Sequence, residues 1–295
     1  MKTIEPSSQI FTENTLTRIG MHGFADIELE CDKNSKTFVK KLKTSPPILV
    51  QKALYTETAR PNKAHIFLMS SAGGMLQGDT LDINVIAKQN TDAYITTQAA
   101  TKVYKSENSD CRQYINITVE KDCFFEFLPQ QIIPHKDSKF FQDVKISIDE
   151  SSTMIYSEIL TTGRIAYGEI FDFDSIRLRL SCSDQNNRIL FTDSSNIEPK
   201  NNKTKFNSLF GNQKIYATIF IISPKADSEN LCSEINEFFK TNNLIGFSQL
   251  PNNSGVVIRI LSNSIDEINN SISKIRKLTL FVFRKMFGNK KQTIR

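Results

Sequence analysis

The 295-residue sequence has no tryptophan, only three histidines, and five cysteines that never stand closer than 12 residues apart. The odd number and wide spacing of Cys31, Cys111, Cys123, Cys182 and Cys232 exclude a paired-cysteine zinc site and a disulfide framework. Reduced thiols in the core are expected. His22, His65 and His135 form no HExxH or HxH pattern, so the zinc-protease helix is excluded, and no GxSxG nucleophile elbow occurs. Long apolar runs are missing too. Ile219–Ile222 and Leu278–Phe283 fall far short of the ~18 residues that span a bilayer. The start, MKTIEPSSQI, lacks the apolar stretch of a signal peptide. A cytoplasmic protein is expected.

One phosphate-binding frame is present only in outline. Gly73–Thr80, GGMLQGDT, has the Gly-x4-Gly spacing of a P-loop, but Asp79 and Thr80 stand where Lys and Ser/Thr are needed. An aspartate there repels phosphate. The segment is expected to be a tight turn whose aspartate holds backbone N–H groups.

Positive charge is localised. The formal net charge is +5, from 37 Lys and Arg against 32 Asp and Glu. Residues 263–295 carry eight basic and two acidic side chains, and the other 262 residues carry 29 basic and 30 acidic. A nearly neutral body thus precedes a basic C-terminal segment.

Hydrophobic patterning indicates a β-rich body over about residues 1–222. Leu81–Lys88, Tyr114–Val119, Val144–Ile148 and Ile176–Leu180 alternate apolar and polar residues as half-buried strands do. His65–Met69, Cys123–Leu128, Ile215–Ile222 and Gly255–Leu261 read as more buried strands. Turn residues recur every ten or so positions, and many short strands without helices between them indicate an all-β body. Residues 196–214 are polar and are expected to form a linker. Two helices are expected in the C-terminal part, 223–295. One begins at Ser223-Pro224 and carries Leu231, Ile235, Phe238 and Phe239 on one face. The other is capped by Ser264 and Glu267, continues through Ile268, Ile272, Ile275, Thr279 and Val282, and stops at Gly288. Its basic residues complement the helix dipole.

Several carboxylates stand inside apolar runs: Glu126 in FFEF, Glu158 between Ile155 and Leu160, and Asp172 and Asp174 between phenylalanines. On a strand each points away from its immediate neighbours. Such a face is either solvent or a wet internal passage or partner surface, where carboxylates hold a cation loosely.

Five blocks in order resemble the urease accessory protein UreD family, called UreH in some systems. They are Gly20–Phe24, Ser71–Asp79, Thr96–Ser106 (TTQAATKVYKS), Leu128–Ile132 (LPQQI), and Glu158–Leu160 with Gly163-Arg164 and Gly168–Phe171. Four positions depart from the family pattern: Gln77 and Ala99 replace Gly, Lys105 replaces Arg, and Gln131 replaces Glu. Lys105 keeps charge without bidentate geometry, and Gln131 loses a carboxylate.

The resemblance implies a mainly β, β-helix-like stack of strands with two C-terminal helices, forming one domain over 1–295. It implies a non-enzymatic maturation factor that assembles with UreF-type and UreG-type (GTPase) accessory proteins and with apo-urease. No cofactor is implied, and nickel is in transit through an internal passage. A chain poor in His and without paired Cys suits passage rather than storage, because clustered His and Cys retain Ni²⁺ tightly. The passage candidates are Asp79, Glu126, Glu158, Glu169 and Asp172, with Asp79 alternatively fixing its turn and Glu158 alternatively pairing with Arg164. Lys102, Tyr104 and Arg164 are candidates for the partner interface. A different class of function is a nucleic-acid-binding module on the basic tail helix, with Phe281, Phe283 and Phe287 stacking on bases. An uncharacterised hydrolase is weaker still, since no nucleophile–base pair is recognisable.

Overall fold

A computed structural model of the chain describes residues 20–200, 203–226, 228–239 and 244–287. The first strands are β1 (His22–Cys31), β2 (Thr37–Ser45), β3 (Ile48–Val50), β4 (Ala64–Ser70), β5 (Thr80–Ala87) and β6 (Asp92–Thr97). Then come β7 (Thr101–Val103), β8 (Cys111–Val119), β9 (Phe124–Phe127), β10 (Ile132–Pro134), β11 (Lys139–Ile148) and β12 (Thr153–Thr161). β13 (Ser175–Asp184), β14 (Ile189–Ile197), α1 (Lys203–Phe210), β15 (Ile215–Ile222) and α2 (Ser228–Phe239) follow. β16 (Ile245–Gln249), β17 (Gly255–Ser262) and α3 (Ile265–Phe287) complete the order.

From β4 to β13 the chain winds back and forth between two sheets. Its long strands fall alternately in one sheet, where β5, β8, β11 and β13 pair in parallel, and the other, where β4, β6, β9 and β12 do the same. This is a two-sheet β-solenoid. Antiparallel strands close both ends: β2 on β1 and β3 on β4 at one, β14 on β13 and β15 on β12 at the other. Capping with antiparallel strands ends the parallel stack, which otherwise presents pairing edges.

The patterning follows from what covers each face. The outer face of the first sheet is polar, so β8 and β11 alternate buried and exposed positions. The second sheet is packed between the first sheet and α2 and α3. Its central β12 is therefore buried at every position, as expected of a strand covered on both faces. Ile27, Val85, Ile117, Ile146, Phe127 and Tyr156 fill the space between sheets. Ile155, Ile219, Ile258, Leu231, Ile268 and Ile275 fill the space beneath the helices.

Several expectations are corrected. The polar stretch 196–214 holds the end of β14 and a third helix, α1, whose Phe206 and Phe210 pack on Phe171 at ring distances of 5.8 and 5.0 Å. Two phenylalanines four apart share one helix face, and that suffices to dock it. α2 starts at Ser228, because Ser223–Ala226 form a turn, with Ala226 N donating to Ser223 O at 2.9 Å. Asp172 and Asp174 lie in a loop, not a strand, with Phe171 at φ 55°. Cys111, Cys123 and Cys182 are buried, whereas Cys31 and Cys232 are half-exposed. Ser264 caps α3, its Oγ accepting from Glu267 N at 3.4 Å, while the Glu267 carboxylate accepts from Ser262 Oγ at 2.5 Å. Gly288 and the side chains of Phe283 and Phe287 lie outside the described residues.

Candidate functional site along the stacked turns

The connections from the second sheet to the first are long, and they stack. Four of them, 71–79, 98–110, 128–138 and 162–174, lie one above the next along one edge of the solenoid. Backbone bonds lock them together: Met75 N to Lys102 O at 2.8 Å, Tyr104 N to Met75 O at 2.9 Å, and Thr101 N to Gln131 O and His135 N to Val103 O, both at 2.9 Å. β7 and β10 make a short parallel ladder, and β10 pairs with β12. Four of the five sequence blocks fall on this edge, and Gly20–Phe24 abuts it where Thr80 N donates to Met21 O at 2.8 Å.

Asp79 organises the first turn. Its carboxylate accepts from Met21 N at 2.7 Å and from Leu76 N at 2.8 Å. The expected role for a turn aspartate is met: one side chain joins β1 to the glycine turn. Gly74 is required beside it, because a Cβ there would come within 2.7 Å of Lys102 O and of the Tyr104 ring.

The next turns present the partner-interface candidates. Lys102 is exposed. The Tyr104 hydroxyl donates to Gly73 O at 3.3 Å, and its ring meets His135 edge-on at 4.7 Å. Burial and the neighbouring Arg164 push the His135 imidazole below its ordinary pKa. Arg164 does not pair with Glu158. It forms a bidentate ion pair with Glu169, with one bond, Nε to Oε2, at 2.8 Å, and it lies 4.9 Å from the centre of the Tyr167 ring. The Arg164 bond holds the Glu169 carboxyl below the usual range. Local spacing decides this, since Arg164 and Glu169 share one tight loop while Glu158 points between the sheets. Tyr167 is 78% exposed. Asp172 accepts from Ile170 N at 3.2 Å and thus folds its own loop.

Beneath these turns lies a cavity of about 20 Å³, lined by Thr97, Thr101, Gln130, Gln142, Tyr156 and Glu158 among others. That volume accommodates one water molecule. Glu158 Oε1 accepts from Tyr156 Oη and from Gln142 Nε2, both at 2.9 Å. Burial pushes its carboxyl up to about 7, against these two bonds. Gln131, the position where a carboxylate is replaced, leaves its Oε1 buried without a hydrogen-bond partner.

Glu126 sits elsewhere. It pairs in register with Ile155 on the helix-facing side of the second sheet and is 0% exposed. Solvent is therefore not its environment. Lys63 donates to it, Arg60 Nη2 lies at 3.2 Å, and Arg276 of α3 contacts it at 2.5 and 3.2 Å. Burial alone would raise its carboxyl, but the three cations outweigh it and hold it low. Glu57 and Asp92 balance the cluster from its rim. Sequence reasoning missed Lys63, Arg60, Arg276, Tyr156, Gln142 and His135. None stands in a diagnostic spacing, and the groups they meet are up to 150 residues distant. Among the described residues, no three His, Cys, Asp or Glu side chains converge to hold a metal ion, and no helix is long and apolar enough to cross a membrane.

These features define a two-sheet β-solenoid protein whose long turns stack along one edge above a small buried cavity that reaches Glu158. The sequence profile of the UreD urease accessory protein family matches residues 21–295. A urease accessory protein UreD from Cenarchaeum symbiosum is 31% identical over 254 residues, covering 85% of this chain and 88% of that protein. A urease accessory protein UreD 2 from Brucella canis is 29% identical over 269 residues, 90% of this chain and 86% of that one. A UreD from Photorhabdus laumondii is 28% identical over 240 residues, 80% and 75% of the two. The chain belongs to the UreD family of urease accessory proteins.

Proposed function

We propose that the chain is a non-catalytic scaffold of urease maturation, working in the cytoplasm. It assembles with UreF-type and UreG-type accessory proteins and apo-urease, and passes nickel toward the urease active site by way of the pocket beneath the stacked turns. One observation carries the reading. Four of the five residue blocks that mark the family lie along a single edge of the solenoid, and the small cavity beneath that edge is lined by Thr97, Thr101, Gln130 and Glu158.

The chemistry supports passage. Nickel is cargo here, and a site that must release it needs oxygen donors in small number. Glu158 is held only by neutral donors, and its carboxyl keeps a proton over part of the neutral range, so it engages a cation weakly. Asp79, Glu169 and Asp172 stand along the turns and guide a cation to it, with Lys102, Tyr104 and Arg164 meeting a partner. Glu126 lies across the sheet with its charge taken by three cations, and its part in the proposal is to hold α3.

The test is co-expression of urease and its accessory proteins with the wild-type chain, Asp79→Ala or Glu158→Gln, followed by pull-down and nickel analysis of the urease. Both variants are expected in the complex, with less nickel delivered. Full nickel content with both variants removes the passage from these residues. A wild-type chain that enters no complex with these proteins overturns the scaffold itself.

A further inference from the structure

A polar line crosses the apolar space between the sheets. Glu158 on β12, Thr218 on β15 and Arg259 on β17 stand in register on neighbouring strands, so their Cα atoms follow one another at about 5 Å. The matching row two residues away, Tyr156, Phe220 and Val257, belongs to the core between the sheets, and strand parity turns both rows inward. Thr218 is 3% exposed. The line ends on the first sheet. There Asp193 of β14, in register with the core residue Leu180, accepts from Arg259 Nη2 at 2.7 Å. Arg259 also donates to the Tyr216 hydroxyl. β14 is the last strand of the first sheet, so this ion pair bridges the gap between the sheets at its rim. The Arg259 side chain is 42% exposed and that of Asp193 25%. Both charges are felt at Glu158: burial raises its carboxyl most, Asp193 adds to the rise and Arg259 opposes it. The small cavity stops at Glu158 and Ile159, with Thr218 beyond it.

We propose that the Asp193–Arg259 pair gates an exit from the Glu158 pocket, by which a divalent cation travels past Thr218 to Asp193 once the Arg259 side chain swings into solvent. The inference rests on the passage reading above and adds to it a route out and the group that controls it. With Arg259 in place, a positive charge stands two strands, about 10 Å, from Glu158 and repels the departing cation. With Arg259 swung out, the line offers a carboxylate at each end and a hydroxyl between them. So few oxygen donors hold Ni²⁺ weakly. A part-exposed ion pair contributes little stability, so it opens readily, and the long arginine side chain at the rim reaches water by its own rotations. A clamp between the sheets needs Asp193 and Arg259 but not Thr218. Valine has nearly the shape of threonine and carries no hydroxyl to desolvate, so an apolar core favours it, and the hydroxyl at this point of the line is accounted for by the route.

The experiment uses the full chain and has two arms. In the first, Thr218→Cys is labelled with the small cationic reagent 2-aminoethyl methanethiosulfonate, and mass spectrometry follows the new thiol and Cys182, which is buried in the same inter-sheet core. Adding Arg259→Met is expected to speed labelling at position 218 about fivefold while Cys182 stays slow, and Arg259→Lys, which restores the charge, to return it toward the starting rate. Equal rates with and without Arg259→Met overturn the gate. A rise at Cys182 in step with position 218 also overturns it, because the pair is then a clamp whose loss loosens the whole core. In the second arm, urease is matured with Thr218→Val, which keeps the shape and removes the hydroxyl, beside Glu158→Gln. Both are expected to deliver less nickel than wild type while remaining in the complex. Full nickel with Thr218→Val and reduced nickel with Glu158→Gln overturns the exit alone. Full nickel with both overturns the passage reading and the exit together.

Discussion

Arg276 of α3 places its guanidinium on the carboxylate of Glu126, 150 residues earlier in the chain, with Nε to Oε1 at 2.5 Å and Nη2 to Oε2 at 3.2 Å. The contact joins the C-terminal helix to the middle of the solenoid through a buried charge. Lys63 and Arg60 reach the same carboxylate from the loop before β4. Glu158 is buried too, yet only a hydroxyl and an amide touch its carboxylate. Two carboxylates on opposite faces of one sheet therefore sit in opposite states: Glu126 is charged because cations enclose it, and Glu158 is partly protonated because none does.

Glu126→Gln is expected to be strongly destabilising. It leaves Lys63, itself fully buried, without its main counter-charge. Breaking a buried pair by removing one partner costs about 3–5 kcal/mol, readable as a lowered urea midpoint at constant m-value. Arg276→Met is expected to cost less, since Lys63 and Arg60 still neutralise Glu126. A change under about 0.5 kcal/mol for Glu126→Gln, the range of ordinary surface substitutions, would show that the cluster contributes no net stability.

The same cluster sets the acid limit. Hydrogen bonds and charges from Arg60 and Lys63 overcome burial and hold the Glu57 carboxyl down at about 2. A depressed folded-state value adds stability above the unfolded-state value, near 4.5, and that stability fades as pH falls toward 2. Glu126, also held low, acts in the same direction. The wild-type chain is expected to lose stability steeply between pH 4.5 and about 2, with α3 signals lost no later than those of the sheets. Glu57→Gln flattens that slope; an unchanged slope in urea titrations would refute its source.

Glu158 has the opposite sign. Its folded value, about 7, lies above the ordinary carboxyl value of 4.5, so the folded state binds the extra proton and stability falls as pH rises between the two. The full penalty, about 3 kcal/mol for a shift of this size, is in place above about pH 7. Glu158→Gln keeps an oxygen that accepts from Tyr156 and Gln142 and removes the titration. Its stability relative to wild type is expected to rise by about 3 kcal/mol between pH 5 and pH 8. Equal differences at both pH values would mean that Glu158 stays charged.

How much was legible in the sequence depended on what covers each residue. β5, β8, β11 and β13 were readable from alternation, because one face of their sheet meets solvent and the other meets the core. The covered β12 and β15 read only as apolar runs. The parallel pairing left no local mark, since Ile83, Ile115 and Val144 are stacked neighbours about thirty residues apart without a repeated motif. Asp79 was readable because its turn chemistry is local. The pairing of Arg164 with Glu169 was missed for Glu158, because strand parity turns Glu158 inward. The cations around Glu126 were invisible, for only the fold brings Arg60, Lys63 and Arg276 together.

The turn held by Asp79 offers the cleanest separation of structure from transport. Asp79→Ala removes the acceptor of two backbone N–H groups, those of Met21 and Leu76. Both bonds are part-buried, so the loss is expected to be about 2 kcal/mol. Asp79→Asn keeps one acceptor oxygen and is expected to lose about half as much. The start of β1 has no other way to sit, because Gly20 approaches Gly78 so closely that a Cβ would fall 2.2 Å from its carbonyl. If Asp79 is only a turn holder, nickel delivery by the two variants should follow their stabilities, and cooling the assay until both are equally folded should restore both alike. If its carboxylate also contacts the passing cation, Asp79→Asn should stay deficient in delivery at a temperature where it is fully folded. Nickel content of urease matured at two temperatures, compared with the folded fraction of each variant, separates the two roles.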